Sequence, residues 1–305
     1  PVSPATTISD TDTINVPVKF SVDTGNYGSR TVDIKLSHPP FPDHVRTLNF
    51  YVQKQTVGDF LGTKLHLDMD FAVSANANIT ATTRTESWTG LGEASYQLTG
   101  SGFETTSGVV GEFSNATQAA NPYYCPPSAA HKYGFIEIMS GEALYLNFAA
   151  QPSTGITMFV LGRPYYASTN DVFLGNCPTL YSAACNAIVT FQNQGYRVVP
   201  NNAQTNASGV FAQPPFGVFA LRFGATQADG YCTRYNLTPD GTNHYTWGDN
   251  TYPYSGGQFA LRTYSNGGTY RIMRVVLAKE INGAGLTLEE MKDVSKIILR
   301  DAGVI

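Results

Sequence analysis

The chain has 305 residues, 42 % of them hydrophobic, enough for a core without metal or disulfide staples and for one large or two mid-sized domains. Only 14 % are charged, against about 25 % in an average soluble protein. That excludes a disordered chain, which needs high charge and few aromatics, and a helix bundle rich in Glu, Lys and Leu. The net charge of −4, with only short charge clusters such as Lys279-Glu280 and Glu289-Glu290, argues against a dedicated nucleic-acid binder.

Taken from the start, Pro1-Val2-Ser3-Pro4 has neither the basic nor the apolar region of a secretion leader. Removal of a leader and removal of the initiator Met alone are both compatible with it. The dominant signal afterwards is alternation with period two, the mark of a half-buried strand. It is clearest in Lys64–Phe71, where Leu65, Leu67, Met69 and Phe71 share one side and Lys64, His66, Asp68 and Asp70 the other. Similar segments are Ile14–Val22, Thr31–Leu36, Arg46–Gln53, Ala94–Leu98, Phe135–Met139, Ala143–Phe148 and Ile156–Leu161. Further on come Ala187–Phe191, Tyr196–Val199, Gly217–Phe223, Gln258–Tyr264 and Thr269–Leu277. Turn residues separate them, and Asn266-Gly267 reads as a type I′ hairpin turn between the last two segments. One helix is predicted, over 287–302. Thr287-Leu-Glu-Glu290 is a capping box, Leu288, Met291, Val294 and Ile298 share a face, and Ala302-Gly303 ends it. That face suits capping the end of a barrel, docking on a neighbouring subunit, or lying on a membrane.

Two stretches depart from this pattern. Residues Ala72–Ala120 are rich in Thr, Ser, Gly and Ala with weak alternation, in composition like the hairpins of pore-forming toxins, although apolar residues are sparse for a lipid face. From Val172 to Leu221 the sole charged residue is Arg197, a composition expected of buried or partner-covered chain. A junction in Gly162–Asn170 precedes that stretch and divides the chain into predicted domains 1–165 and 166–305, each long enough for an eight-stranded sandwich.

Motifs for chemistry are scarce. Gly58–Lys64 lacks P-loop spacing, no G-x-S-x-G elbow occurs, and the five histidines form no H-E-x-x-H. No catalytic, cofactor-binding or metal-binding residue is therefore predicted, and no cofactor. His66, Asp68 and Asp70 stand about 6.6–6.8 Å apart along a strand, too far to ligate one ion unaided. Glu137 with Glu142, and Asp68 with Asp70, meet the ~5–9.5 Å carboxylate spacing of glycoside hydrolysis only loosely. Cys125, Cys177, Cys185 and Cys232 allow three pairings or four thiols. The sequons at Asn78, Asn115, Asn206 and Asn236 do not establish secretion in a chain so rich in Asn, Ser and Thr. The most suggestive segment is Asn243–Tyr254, where Tyr245, Trp247, Tyr252 and Tyr254 interleave with Asp249 and Asn250. Aromatic faces beside amides and carboxylates suit a sugar, and Tyr and Trp are also enriched at protein interfaces.

The many strands, turn-rich links such as Ser37–Pro42, the missing catalytic motifs and the terminal helix resemble, at the level of pattern, jelly-roll viral capsid proteins, and by size the double jelly-roll type. The resemblance implies an all-β fold of two tandem eight-stranded jelly rolls with one C-terminal amphipathic helix. It further implies a non-enzymatic virion protein that self-assembles as a trimer within a larger shell, alongside other capsid or membrane-layer components and without direct nucleic-acid binding. The competing expectation is a secreted, extracellular carbohydrate-binding or carbohydrate-active β-sandwich; a β-pore-forming toxin is a remote third.

Overall fold

The computed structural model describes residues 28–36, 40, 42–52, 55–85, 94–112, 122–129, 133–139, 142–147, 155–166, 171–175, 187–191, 195–199, 217–223, 227–234, 244–248, 259–262 and 269–303. Two compact units divide between Lys54 and Gln55.

The first unit contributes a hairpin of β1 (Gly28–Leu36) and β2 (His44–Val52), nine antiparallel pairs from Gly28↔Val52 to Leu36↔His44. Alternation gathers polar partners on one side. There Thr31 Oγ1 donates to Asn49 Oδ1 (3.0 Å) and Thr47 Oγ1 to Asp33 Oδ1 (2.7 Å), and Lys35 pairs with Asp43 at 2.5 Å. Leu48, of the opposite parity, is 42 % exposed.

The second unit is all-β and antiparallel, as the alternation predicts. Its strands are β3 (Leu65–Asp70), β4 (Ala77–Thr85), β5 (Ala94–Thr105), β6 (Gly108–Glu112), β7 (Tyr123–Cys125), β8 (Phe135–Ile138), β9 (Ala143–Asn147) and β10 (Ile156–Tyr166). They continue as β11 (Asp171–Gly175), β12 (Ala187–Phe191), β13 (Gly195–Val199), β14 (Gly217–Phe223), β15 (Gln227–Arg234), β16 (His244–Gly248), β17 (Ala260–Arg262) and β18 (Thr269–Lys279). A continuous hydrogen-bonded path runs β13-β12-β11-β17-β9-β6-β5-β7-β8-β18-β10-β14-β15-β16, with β3 on β18 and β4 on β5. The sheet wraps an inner core in which β3 (Leu67, Met69), β5 (Leu98, Phe103) and β9 (Leu144, Leu146) meet β10 (Ile156, Met158, Val160) and β18 (Val275, Leu277). This is a β-sandwich whose layers interleave both halves of the sequence: β17 pairs β9, and β18 pairs β3 and β8.

The central strands are buried on both sides: in β10, Ile156, Met158 and Val160 enter the inner core and Phe159 and Leu161 the opposite side, with Thr157 buried between them. The outward residues Phe159, Leu161, Val218, Ala220 and Val276 form a second core under two helices, α1 (Val57–Leu61) and α2 (Leu288–Asp301). A bulge at Met273, skipped between Leu161↔Arg274 and Gly162↔Ile272, changes the parity of β18. Ile272 and Val275 thereby both reach the inner core, while Met273 joins the helix side.

The predicted helix is present. The Glu290 amide donates to Thr287 Oγ1 (3.2 Å), the Thr287 amide to Glu290 Oε2 (2.6 Å), and Gly303 takes the left-handed conformation that ends it (φ 69°). A second helix, α1, was not anticipated. Thr56 caps it, accepting from the Asp59 amide at 3.0 Å, with Asp59 completing the box that Glu would usually fill.

One other expectation meets a different arrangement. The strands flanking Asn266-Gly267 are not paired with each other in the described ladder: β17 lies between β9 and β11, while β18 is taken by β10 on one edge and by β3 and β8 on the other. Both edges of β18 are thus already satisfied. The two-residue turn of that chemistry sits further on, at Asn282-Gly283, both with positive φ (53° and 74°) between Ile281 and Ala284. β10 itself runs from Ile156 to Tyr166, with register shifts against β18 at Leu161/Gly162 and Pro164/Tyr166. The segment Ile14–Val22 and the turn residues 265–268 lie outside the described residues.

Candidate functional site

The charged residues of the sandwich centre are spoken for. Glu137 on β8 and Arg271 on β18 stand opposite each other in the register and are almost wholly buried. Both Nε and Nη2 of Arg271 donate to Glu137 Oε2, at 3.1 and 3.0 Å, and the guanidinium lies 5.0 Å over the Phe135 ring. Glu142 is 5 % exposed and accepts the Met139 amide at 2.7 Å. The loosely spaced pair Glu137 and Glu142 is therefore built into the fold.

The same holds for β3. Arg274 grips Asp68 with two parallel bonds (Nε to Oδ1 2.8 Å, Nη2 to Oδ2 2.7 Å) and reaches Asp301 of α2 with Nη1 (3.1 Å). Burial opposes the charge on Arg274, yet hydrogen bonding and charge from Asp68, with Asp70 and Asp301, carry its pKa upward. Asp70 accepts the Ala72 amide at 2.9 Å. The polar side of β3 is thus a clamp joining β3, β18 and α2. Among the described residues, no three His, Cys, Asp or Glu side chains come together as ligands for an ion.

The helix face proposed for a neighbouring subunit or a membrane is occupied within this chain. Met291, Val294 and Ile298 are buried in the outer core and Leu288 packs against it, because the sheet face beneath carries Phe159, Ala220 and Val276. No helix among the described residues is long and apolar enough to cross a membrane. Cys125 is buried as a thiol, its Sγ 3.8 Å from the Ala94 carbonyl oxygen. Cys177 and Cys185 lie outside the described residues, and Cys232 is paired in register with Phe219. Within the charge-poor stretch, Gly217–Leu221 is fully buried, in line with its composition.

Part of the aromatic segment lies in a strand. Residues His244–Gly248 form β16, the terminal strand of the described path, hydrogen-bonded to β15. Tyr245 and Trp247 have the same parity and stand in register with Gly230 and Ala228. Two aromatic residues about 6.8 Å apart along a strand are thus set against the two smallest residues of its neighbour. Asp249, Asn250, Tyr252 and Tyr254 lie outside the described residues. Period-two spacing in Tyr245-Thr-Trp247 is the signal by which β16 could have been read.

The chain matches no protein-family model and no curated protein. Among solved structures it is similar to a GH54 α-L-arabinofuranosidase, at 11 % identity and a TM-score of 0.46 over 80 % of this chain and 65 % of that one. It is also similar to a sialidase from Trypanosoma rangeli (9 % identity, TM-score 0.39, 60 % of this chain and 30 % of that one). A third is the binding domain of botulinum neurotoxin DC in complex with SialylT (8 % identity, TM-score 0.37, 55 % and 42 %). The chain spans less than two thirds of the length of each. These findings correct the expectation of a self-assembling, non-enzymatic capsid protein: the structures it resembles are glycoside hydrolases and a toxin binding domain. At such identities and TM-scores the likeness transfers no residue role.

Proposed function

We propose that the chain is a carbohydrate-active β-sandwich protein that holds a sugar along β16. The observation that carries this reading is the register of Tyr245 and Trp247 opposite Gly230 and Ala228 at the end of the strand path. Aromatic faces stack on the C–H surfaces of sugar rings, and the register pairs both aromatic positions with the two smallest residues of the adjoining strand. Asp249 and Asn250, next in the chain, supply hydroxyl partners in this reading. An extracellular setting goes with it.

A glycan array probed with the purified chain tests the proposal, followed by assay of reducing-sugar release from the retained glycans. Retention of a defined glycan class, lost by at least about tenfold in Trp247→Ala with an unchanged melting temperature, is the expected result; tenfold corresponds to ~1.4 kcal/mol of binding. A chain that retains no glycan overturns the reading.

A further inference from the structure

At the end of the central strands, β18 leaves the sheet through Glu280 and returns by the Asn282-Gly283 turn to Thr287, the cap of α2. The Glu280 amide donates to the Gly155 carbonyl (3.0 Å), which extends the β10–β18 ladder by one bond. The side chain is only half-buried, yet its carboxyl is lodged against backbone. A Cβ at Gly155 would overlap it, and one at Gly285 would lie 2.8 Å from Oε1. No other residue fits at these two positions while the carboxyl stays where it is. Arg222, the residue that ends the charge-poor stretch, stands beside Gly285 and donates from Nη1 to the Leu286 carbonyl oxygen. The connection is thus closed onto the sheet by one carboxyl wedge and one guanidinium.

We propose that the Glu280 carboxyl, wedged between Gly155 and Gly285 beside Arg222, is a proton-operated latch that sets how tightly the 281–287 connection and the start of α2 are held on the sheet. Arg222 is the cation facing it from β14, and Asp229 of β15 occupies the register position next to Arg222. Gly155 at the head of β10 is neutral, and the connection Ile281–Thr287 contains no titratable residue. On α2, Glu289 is engaged by Lys292 and Glu290 by Lys64, and Lys279 precedes Glu280 on the alternate side of β18.

The direction of the switch follows from the environment. Burial raises the Glu280 pKa, with Arg222 pulling the other way. The seated carboxyl therefore holds its proton more tightly than a released one. Seating is favoured in acid and weakens as pH rises through the raised pKa, beyond which Arg222 offsets part of the buried charge.

Hydrogen–deuterium exchange of peptides spanning 281–291 in the full chain, corrected for intrinsic rates between pH 4 and 8, tests this. Protection should fall as pH rises, by roughly tenfold for each pKa unit separating the seated from the released carboxyl. Glu280→Gln should keep its acid-side protection throughout. Gly285→Ala, which displaces the carboxyl but retains the glutamate, should lose the pH dependence, and it decides the matter if the Gln variant does not fold. Wild type and Glu280→Gln changing in parallel with pH, or Gly285→Ala retaining the full dependence, overturns the latch.

Discussion

The hairpin β1–β2 and the central pair β10–β18 are both long antiparallel ladders, but they are held in different ways. The hairpin has an unbroken register and a ladder of side-chain bonds on its polar side, and Leu48 beside them is substantially exposed. The central pair has an interrupted register, with a bulge at Met273, and is sealed on both sides by separate cores. Regular pairing is thus no guide to burial. Backbone bonds exchange for bonds to water at little net gain, whereas apolar burial has no such substitute in the unfolded chain.

Substitutions in the two regions should separate these contributions. The largest effect is expected from Glu137→Ala, which removes the carboxylate that accepts two hydrogen bonds from the Arg271 guanidinium, 3 % exposed. A loss of about 3–5 kcal/mol by urea denaturation is expected, as for other buried pairs with one member removed. A loss below about 1 kcal/mol would show that the centre of the sandwich tolerates charge and would break the comparison. Next is Thr287→Ala, which removes the cap that anchors α2 over the outer core, at about 1 kcal/mol in the same assay. The smallest is Lys35→Ala in the hairpin. That ion pair is 59 % and 44 % exposed, so the change should stay within about 0–1 kcal/mol and vanish at high salt. An effect rivalling that of Glu137→Ala would mean that the hairpin's polar side carries its fold.

Local pattern revealed a good deal. Gly217–Phe223 and Ala187–Phe191 are strands with the boundaries their alternation suggests, and α2 begins at the capping box read from Thr287 to Glu290. β15 and β16 escaped notice because Gly, Thr and polar residues dilute the alternation in Gln227–Arg234 and His244–Gly248. The site segment was singled out for its aromatics, but its strand identity and the facing Gly230 and Ala228 belong to pairing partners 15 and 19 positions away in sequence.

The residues by themselves determined the β class, the capped amphipathic helix and the low-charge interior, because strand alternation, capping and burial of apolar side chains depend on neighbours within a few positions. Only the tertiary structure decided that the helix's apolar face is covered by this chain, that Asn266-Gly267 is flanked by strands with other partners, and that Arg274 joins β3 to α2. It also decided that the two glycines around Glu280 come from segments 130 positions apart. Such contacts depend on which edges are still unpaired and which backbones can approach closely, and no local window of sequence contains that information.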